Sequence, residues 1–252
     1  MEGGAAGAIS ERAAAPSKRA NPRTRRTPKK LHGYFIAFAG IFALLVIAGF
    51  WRSFFIPVAQ GTFSRPPIVH VHGALFFAWT AILVAQTVLA GTGRLRLHRR
   101  VGAVARWLVL PMLMLGAFVA GRDAVNDFAA GEGDSRLSFF YGELADLAMF
   151  GLLSGGAMLL RHKPEFHKRW VILGSLGLLG AAVGRIPAVG DWGFQIFVGL
   201  IASMALYDLA SRRRLHAATM IGAAVLLTLN LTQGAIGDSE AWLAFAHQLL
   251  PI

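Results

Sequence analysis

Residues 68–100 read IVHVHGALFFAWTAILVAQTVLAGTGRLRLHRR, and this stretch decides the fold. From Ile68 to Gly91 there is no Asp, Glu, Lys or Arg, and then Arg94, Arg96, Arg99 and Arg100 follow within seven residues. About 20 apolar residues, each rising about 1.5 Å along a helix, cross a hydrocarbon core roughly 30 Å thick. The stretch therefore predicts a transmembrane helix that ends in a basic loop. Similar apolar runs predict further spans at 33–56, 102–121, 139–160, 169–189, 192–210 and 216–236, giving seven with 68–91. The chain is 55% hydrophobic and only 15% charged over 252 residues, with a mean hydropathy of +0.54. A soluble domain carries about 25% charged residues, so this chain lacks the charge to cover a water-facing surface.

The threading follows from where the cations lie. Lys and Arg crowd the N-terminal 31 residues, the loop at 94–100, the segment 161–169 and the triplet Arg212-Arg213-Arg214. These are alternate connections of a seven-span chain. The opposite connections hold most of the acids: Asp123, Asp127, Glu132, Asp134, Asp191, Asp238 and Glu240. Cytoplasmic loops are the Lys/Arg-rich ones, which predicts N-in, C-out. The expected organisation is a disordered basic cytoplasmic tail (1–31), an all-α polytopic seven-helix bundle (32–236) and a periplasmic C-terminal tail (237–252). Topology thus accounts for the net charge of +12 without nucleic acid, and the bilayer is the expected partner. With no cysteine, thiolate metal sites, disulfides and cysteine nucleophiles are excluded.

An internal repeat marks the basic loops. Leu31-His32, Leu97-His98, Phe166-His167 and Leu215-His216 each place an apolar residue and a histidine where a helix leaves the cytoplasm. Residues 94–100 and 163–169 align as basic-x-x-x-His-basic-Arg, which predicts repeated helical hairpins. Histidine suits a helix end at the lipid interface, and anchoring is the favoured role. A second role is ligation: His32, His98, His167 and His216 at matched depth would be the ligands of a b-type haem in a membrane electron carrier.

His70-x-His72, Trp79, Gln86, Arg94, His98-Arg99-Arg100 and Gly102 resemble families of uncharacterised bacterial polytopic inner-membrane proteins. Those families share a membrane histidine, a downstream glutamine and a loop reading Arg-x-x-x-His-Arg-x-x-Gly. Pro164-Glu165-Phe166-His167-Lys168-Arg169, Gly184-Arg185-Ile186-Pro187, and Tyr207-Asp208 followed by Arg214-Leu215-His216 extend the likeness over most of 68–222. The resemblance implies a multi-pass fold in the bacterial cytoplasmic membrane and no particular chemistry.

Ionisable groups inside a span are costly and mark function. Counting helical rise from each predicted end puts His72, Glu143, Asp146, Arg185, Gln195 and Asn230 at one level, in the outer third of the membrane. Glu143 and Asp146 share a helix face, and Arg185 is the expected counter-charge. His70 and His72 point to different sides of a helix, so His72 is the one expected inside. This layer predicts an outward-facing pocket for a proton, an ion or a small polar ligand; its rival is a Glu/Asp–Arg lock that only fixes helix packing. Gln86 is expected to bond between helices, and Asp208 to pair with Arg212 four residues on. No span contains the lysine a retinal protein needs, and no Walker, His-Glu-x-x-His or Gly-x-Ser-x-Gly motif is present. A role outside catalysis is the leading expectation, with an assembly or structural role as the third reading.

Overall fold

The computed structural model describes residues 30–187, 189–250 and 252, with side chains from residue 33 onward. The basic tail expected at 1–31 lies almost wholly outside them, as does the His32 side chain. The described chain is an all-α polytopic bundle: α1 (Lys30–Phe50), α2 (Ile56–Ala59), α3 (Pro67–Gly91), α4 (Leu95–Ala105), α5 (Val109–Asp127), α6 (Asp134–Leu159), α7 (Pro164–Leu176), α8 (Gly180–Val183), α9 (Gly193–Arg212), α10 (Ala217–Gly237) and α11 (Glu240–Leu249). Six helical stretches are long and apolar enough to cross a membrane: Gly33–Ala59, Pro67–Gly91, Leu95–Glu132, Asp134–Leu159, Gly190–Arg212 and Ala217–Gly237.

The fifth expected span, 169–189, is a different object. α7 stops at Leu176, and residues 177–179 tighten into i→i+3 bonds before α8 begins. Close packing explains the break. A Cβ on Gly177 would sit 2.6 Å from the Asp146 carbonyl oxygen, and one on Gly49 would overlap the Ala182 carbonyl. Backbone therefore meets backbone on two sides of this segment. Irregular backbone at membrane depth is tolerated where protein or a cavity surrounds it, and Ile172 to Leu176, Leu179, Ala182 and Val183 are all buried. Seven crossings result only when this broken central segment is counted with the six continuous ones.

Around it α1, α3, α6, α9 and α10 contribute Phe38, Phe42, Leu83, Met149, Leu153, Met204 and Leu226 to one core. The outer faces are apolar too. Trp107, Leu110, Met114 and Phe118 recur at helical spacing along one exposed side of the Leu95–Glu132 stretch, a stripe suited to lipid tails. Near the end of the first span Pro57 lacks an N–H and its ring crowds the preceding turn. The helix widens there into a π-turn over Trp51–Phe55, with the Ile56 N–H reaching back to the Trp51 carbonyl. Such widened turns relieve a proline and recur at functional sites.

Contacts separate the connections into two ends. The rings of His98 and His167 approach to 6.3 Å, and Asp208 accepts from the His216 backbone N–H. The basic loops therefore share one end. At the other, Ser138 donates to Asp238 and His247 meets Asp134 at 3.0 Å. Residues 237–252 are more than a tail. After the Ser239 N-cap, α11 docks on the bundle, with Trp242 Nε1 donating to the Leu137 carbonyl at 2.9 Å.

Candidate functional site

At the end opposite the basic loops, α1, α3, α5, α6 and the α7–α8 break enclose a cavity of about 340 Å³. His72, Glu143, Asp146 and Arg185 all line it. Six phenylalanines, Phe42, Phe50, Phe54, Phe63, Phe76 and Phe77, share the wall with small and aliphatic residues and with Thr80 and Asp123. The π-turn places Ser53 and Phe54 on the same wall. His72 stacks on Phe76 at 4.3 Å between ring centroids, and its buried Nδ1 has no hydrogen-bond partner. His70, two residues earlier, points away and is exposed against Phe63. The size falls in the range of small-molecule sites, roughly 300–1,000 Å³, and the mix of apolar wall and a few polar groups is typical of them.

The charges pair differently from the expected scheme. Arg185 lines the cavity with Glu143 and Asp146 but makes no direct ion pair with either. Its guanidinium lies 5.0 Å from the Phe50 ring and donates to the Ala181 carbonyl, near the exposed rim. The partner of Glu143 is Arg136, at 3.1 Å, and Arg136 also holds Asp127 at 2.9 Å. Arg136 is buried although it stands in the first turn of α6. The sequence carries the signal: Arg136 and Glu143 are seven residues apart, two helical turns, and so lie on one face of α6.

Asp146 has no cation within ion-pair distance among the described residues. Gln233 Nε2 on α10 donates to its Oδ1 at 3.0 Å. Asp146 also lines a second cavity of about 230 Å³, together with Gly180, Gly184, Gly190, Phe194, Asn230 and Gln233. Asn230 thus belongs to this second space rather than to the first. Gln195 belongs to neither: it is exposed on α9, because the inward face of that helix is set by Phe197, Ile201, Met204 and Asp208. Two residues before Phe197 is about 200° around the helix.

The basic end is built from satisfied charges. Arg169 and Asp208 are both fully buried and ion-paired, with Arg169 Nε donating at 3.1 Å. The other Asp208 oxygen accepts from Thr219 Oγ1 at 2.5 Å and from the His216 N–H at 3.0 Å. Asp208 therefore pairs across 39 residues with Arg169 rather than with Arg212; Arg212 pairs with Glu165. Burial works to raise the Glu165 carboxyl, but hydrogen bonds and charge from Lys168 and Arg169 outweigh it and hold it at about 2.

The repeat histidines act as hairpin ties. His98 Nδ1 donates to the Gln86 carbonyl at 3.3 Å, while Gln86 Nε2 donates back to the His98 carbonyl at 3.1 Å. This links Gln86 of α3 and His98 of α4 in one reciprocal device. His167 Nδ1 does the same toward Ala157, at 2.9 Å. His216 is separate: its Nδ1 accepts the Ala218 N–H as a helix cap, and its ring packs on Phe166. The described members of the supposed haem set therefore form one facing pair and one cap. Neither cavity reaches them. No family model, curated protein or solved structure matches this chain, so its site is read from geometry.

Proposed function

We propose that this chain is a multi-pass protein of the bacterial cytoplasmic membrane, N-in, that binds a small polar ligand in an outward-facing cavity. The carrying observation is the 340 Å³ cavity in which His72, Glu143 and Asp146 meet six phenylalanines. The acids beneath an aromatic wall favour a ligand with a positive group and an apolar body, since ring faces attract cations. Arg185 and Arg65 sit at exposed positions on the rim, while Asp146 lies one turn further along α6 than Glu143. Benzyltrimethylammonium suits this space as a probe. It should raise the melting temperature of the purified chain, benzoate of similar size should not, and Ser53→Trp, which fills the cavity, should abolish the effect. No shift with any small organic cation overturns the reading.

A further inference from the structure

Asp146 stands where the two cavities meet, against the interrupted backbone between α7 and α8. Its side-chain oxygen lies 3.1 Å from where a Cβ on Gly180 would be, so the residue opposite must stay small for the carboxyl to sit there. Its one bonded partner is the neutral Gln233 amide. An acid inside a membrane bundle with no counter-cation takes up a proton or a bound cation, because an unpaired charge in that setting costs several kcal/mol. The phenylalanine faces of the adjoining cavity suit an organic cation, and the empty site is left with the proton.

Resting on the ligand reading above, we propose that Asp146 is a proton-exchange residue: neutral in the empty site, it gives its proton up when a cationic ligand enters the aromatic cavity. The O–H bond of the carboxylic acid breaks, the proton passes to water in the second cavity beside Asn230 and Gln233, and the carboxylate is left to pair with the incoming cation. One positive charge enters as one leaves, so the buried charge of the site is unchanged.

The other titratable groups facing Asp146 have different roles. Glu143, on the same helix, is held by Arg136. Asp123 on α5 lines the same cavity beside the half-exposed pair it makes with Arg122. His72 on α3 stacks on Phe76. Arg185 beyond α8 lies on Phe50, and Arg65 stands at the rim. From α10 only the neutral Asn230 and Gln233 face it. Asp146 is the one acid here with no cation beside it.

Two measurements test this on the full chain in detergent. First, the infrared spectrum of the empty protein should contain the carbonyl stretch of a protonated carboxylic acid, and Asp146→Asn should remove it; an unchanged spectrum overturns the proposal whatever the ligand. Second, benzyltrimethylammonium titrated calorimetrically in buffers of different ionisation enthalpy should release protons. Affinity should fall by up to about tenfold per unit as pH is lowered. Gln195→Leu, outside both cavities, should keep the release, and Asp146→Asn should bind without release or pH dependence. Binding with no release, or release that survives Asp146→Asn, overturns proton exchange and leaves the cavity reading standing. No binding to the wild-type chain overturns the cavity reading instead, and the infrared result still decides whether Asp146 carries the proton. If Asp146→Asn does not purify as a single species, Asp146→Glu decides it together with the proton count of the wild-type chain: the carbonyl band should persist at a shifted frequency, and a band left unmoved overturns the assignment.

Discussion

The two ends of this bundle treat buried charge in opposite ways. At the basic end Arg169 and Asp208 satisfy one another, Thr219 and the start of α10 take up the second carboxylate oxygen, and Glu165 gathers Lys168, Arg169 and Arg212. At the other end Arg136 and Glu143 are paired, but Asp146 has only an amide and His72 Nδ1 has nothing. The saturated network surrounds packed side chains, whereas the unsaturated groups surround open space. Charge that is fully matched holds helices together, and charge left partly unmatched beside a cavity is available to a ligand.

The largest expected effect comes from breaking the saturated end. Arg169→Ala strands Asp208 in a fully buried position and should cost about 3–5 kcal/mol, seen as a large drop in thermal unfolding temperature in detergent or as loss of expression. A variant that unfolds like wild type would erase the contrast between the ends. Next comes the pairing of Glu143. In double-mutant cycles, Glu143 and Arg136, in direct contact, should show a coupling of roughly 1–3 kcal/mol, whereas Glu143 and Arg185, with no ion pair between them, should show a smaller one. The opposite ranking would restore Arg185 as the counter-ion.

A smaller effect concerns pH. Glu165 is held at about 2 when folded, below its ordinary value near 4.5. A depressed carboxylate stabilises the fold above its unfolded value and loses that contribution as pH falls through its folded one. Unfolding temperature should therefore decline as pH drops from about 5 toward 2, and Glu165→Gln should flatten that decline. The smallest effect is at Gln195. Facing outward on α9, its replacement by Leu should change stability by no more than about 0.5 kcal/mol and leave probe binding intact. A lost probe signal would return it to the site.

The helices and their threading were legible because membrane spans depend on local composition and basic loops on alternation, both one-dimensional signals. Helical rise alone groups His72, Glu143, Asp146 and Arg185, and the four line one cavity. Partners were not legible. Arg136 escapes a search for charges inside spans because it stands in the first turn of α6, and Asp208 suggests Arg212 as its partner because the contact with Arg169 joins helices far apart in the chain. Gln195 shows the limit of depth without direction: it has the right level and the wrong side. The break at 177–179 left no trace in hydropathy, since the residues that force it are small and apolar like their neighbours.

The long helical run of α4 and α5, joined through a tighter turn at Arg106–Leu108, has a mechanical consequence. From Leu95 to Asp127 it extends roughly 50 Å at the usual helical rise, well beyond the thickness of the oily layer it passes through. The surplus must tilt or protrude. Its Arg-rich first turns then reach well into the zone of lipid head groups, so the seating of the protein should respond to how thick and how anionic the surrounding leaflet is.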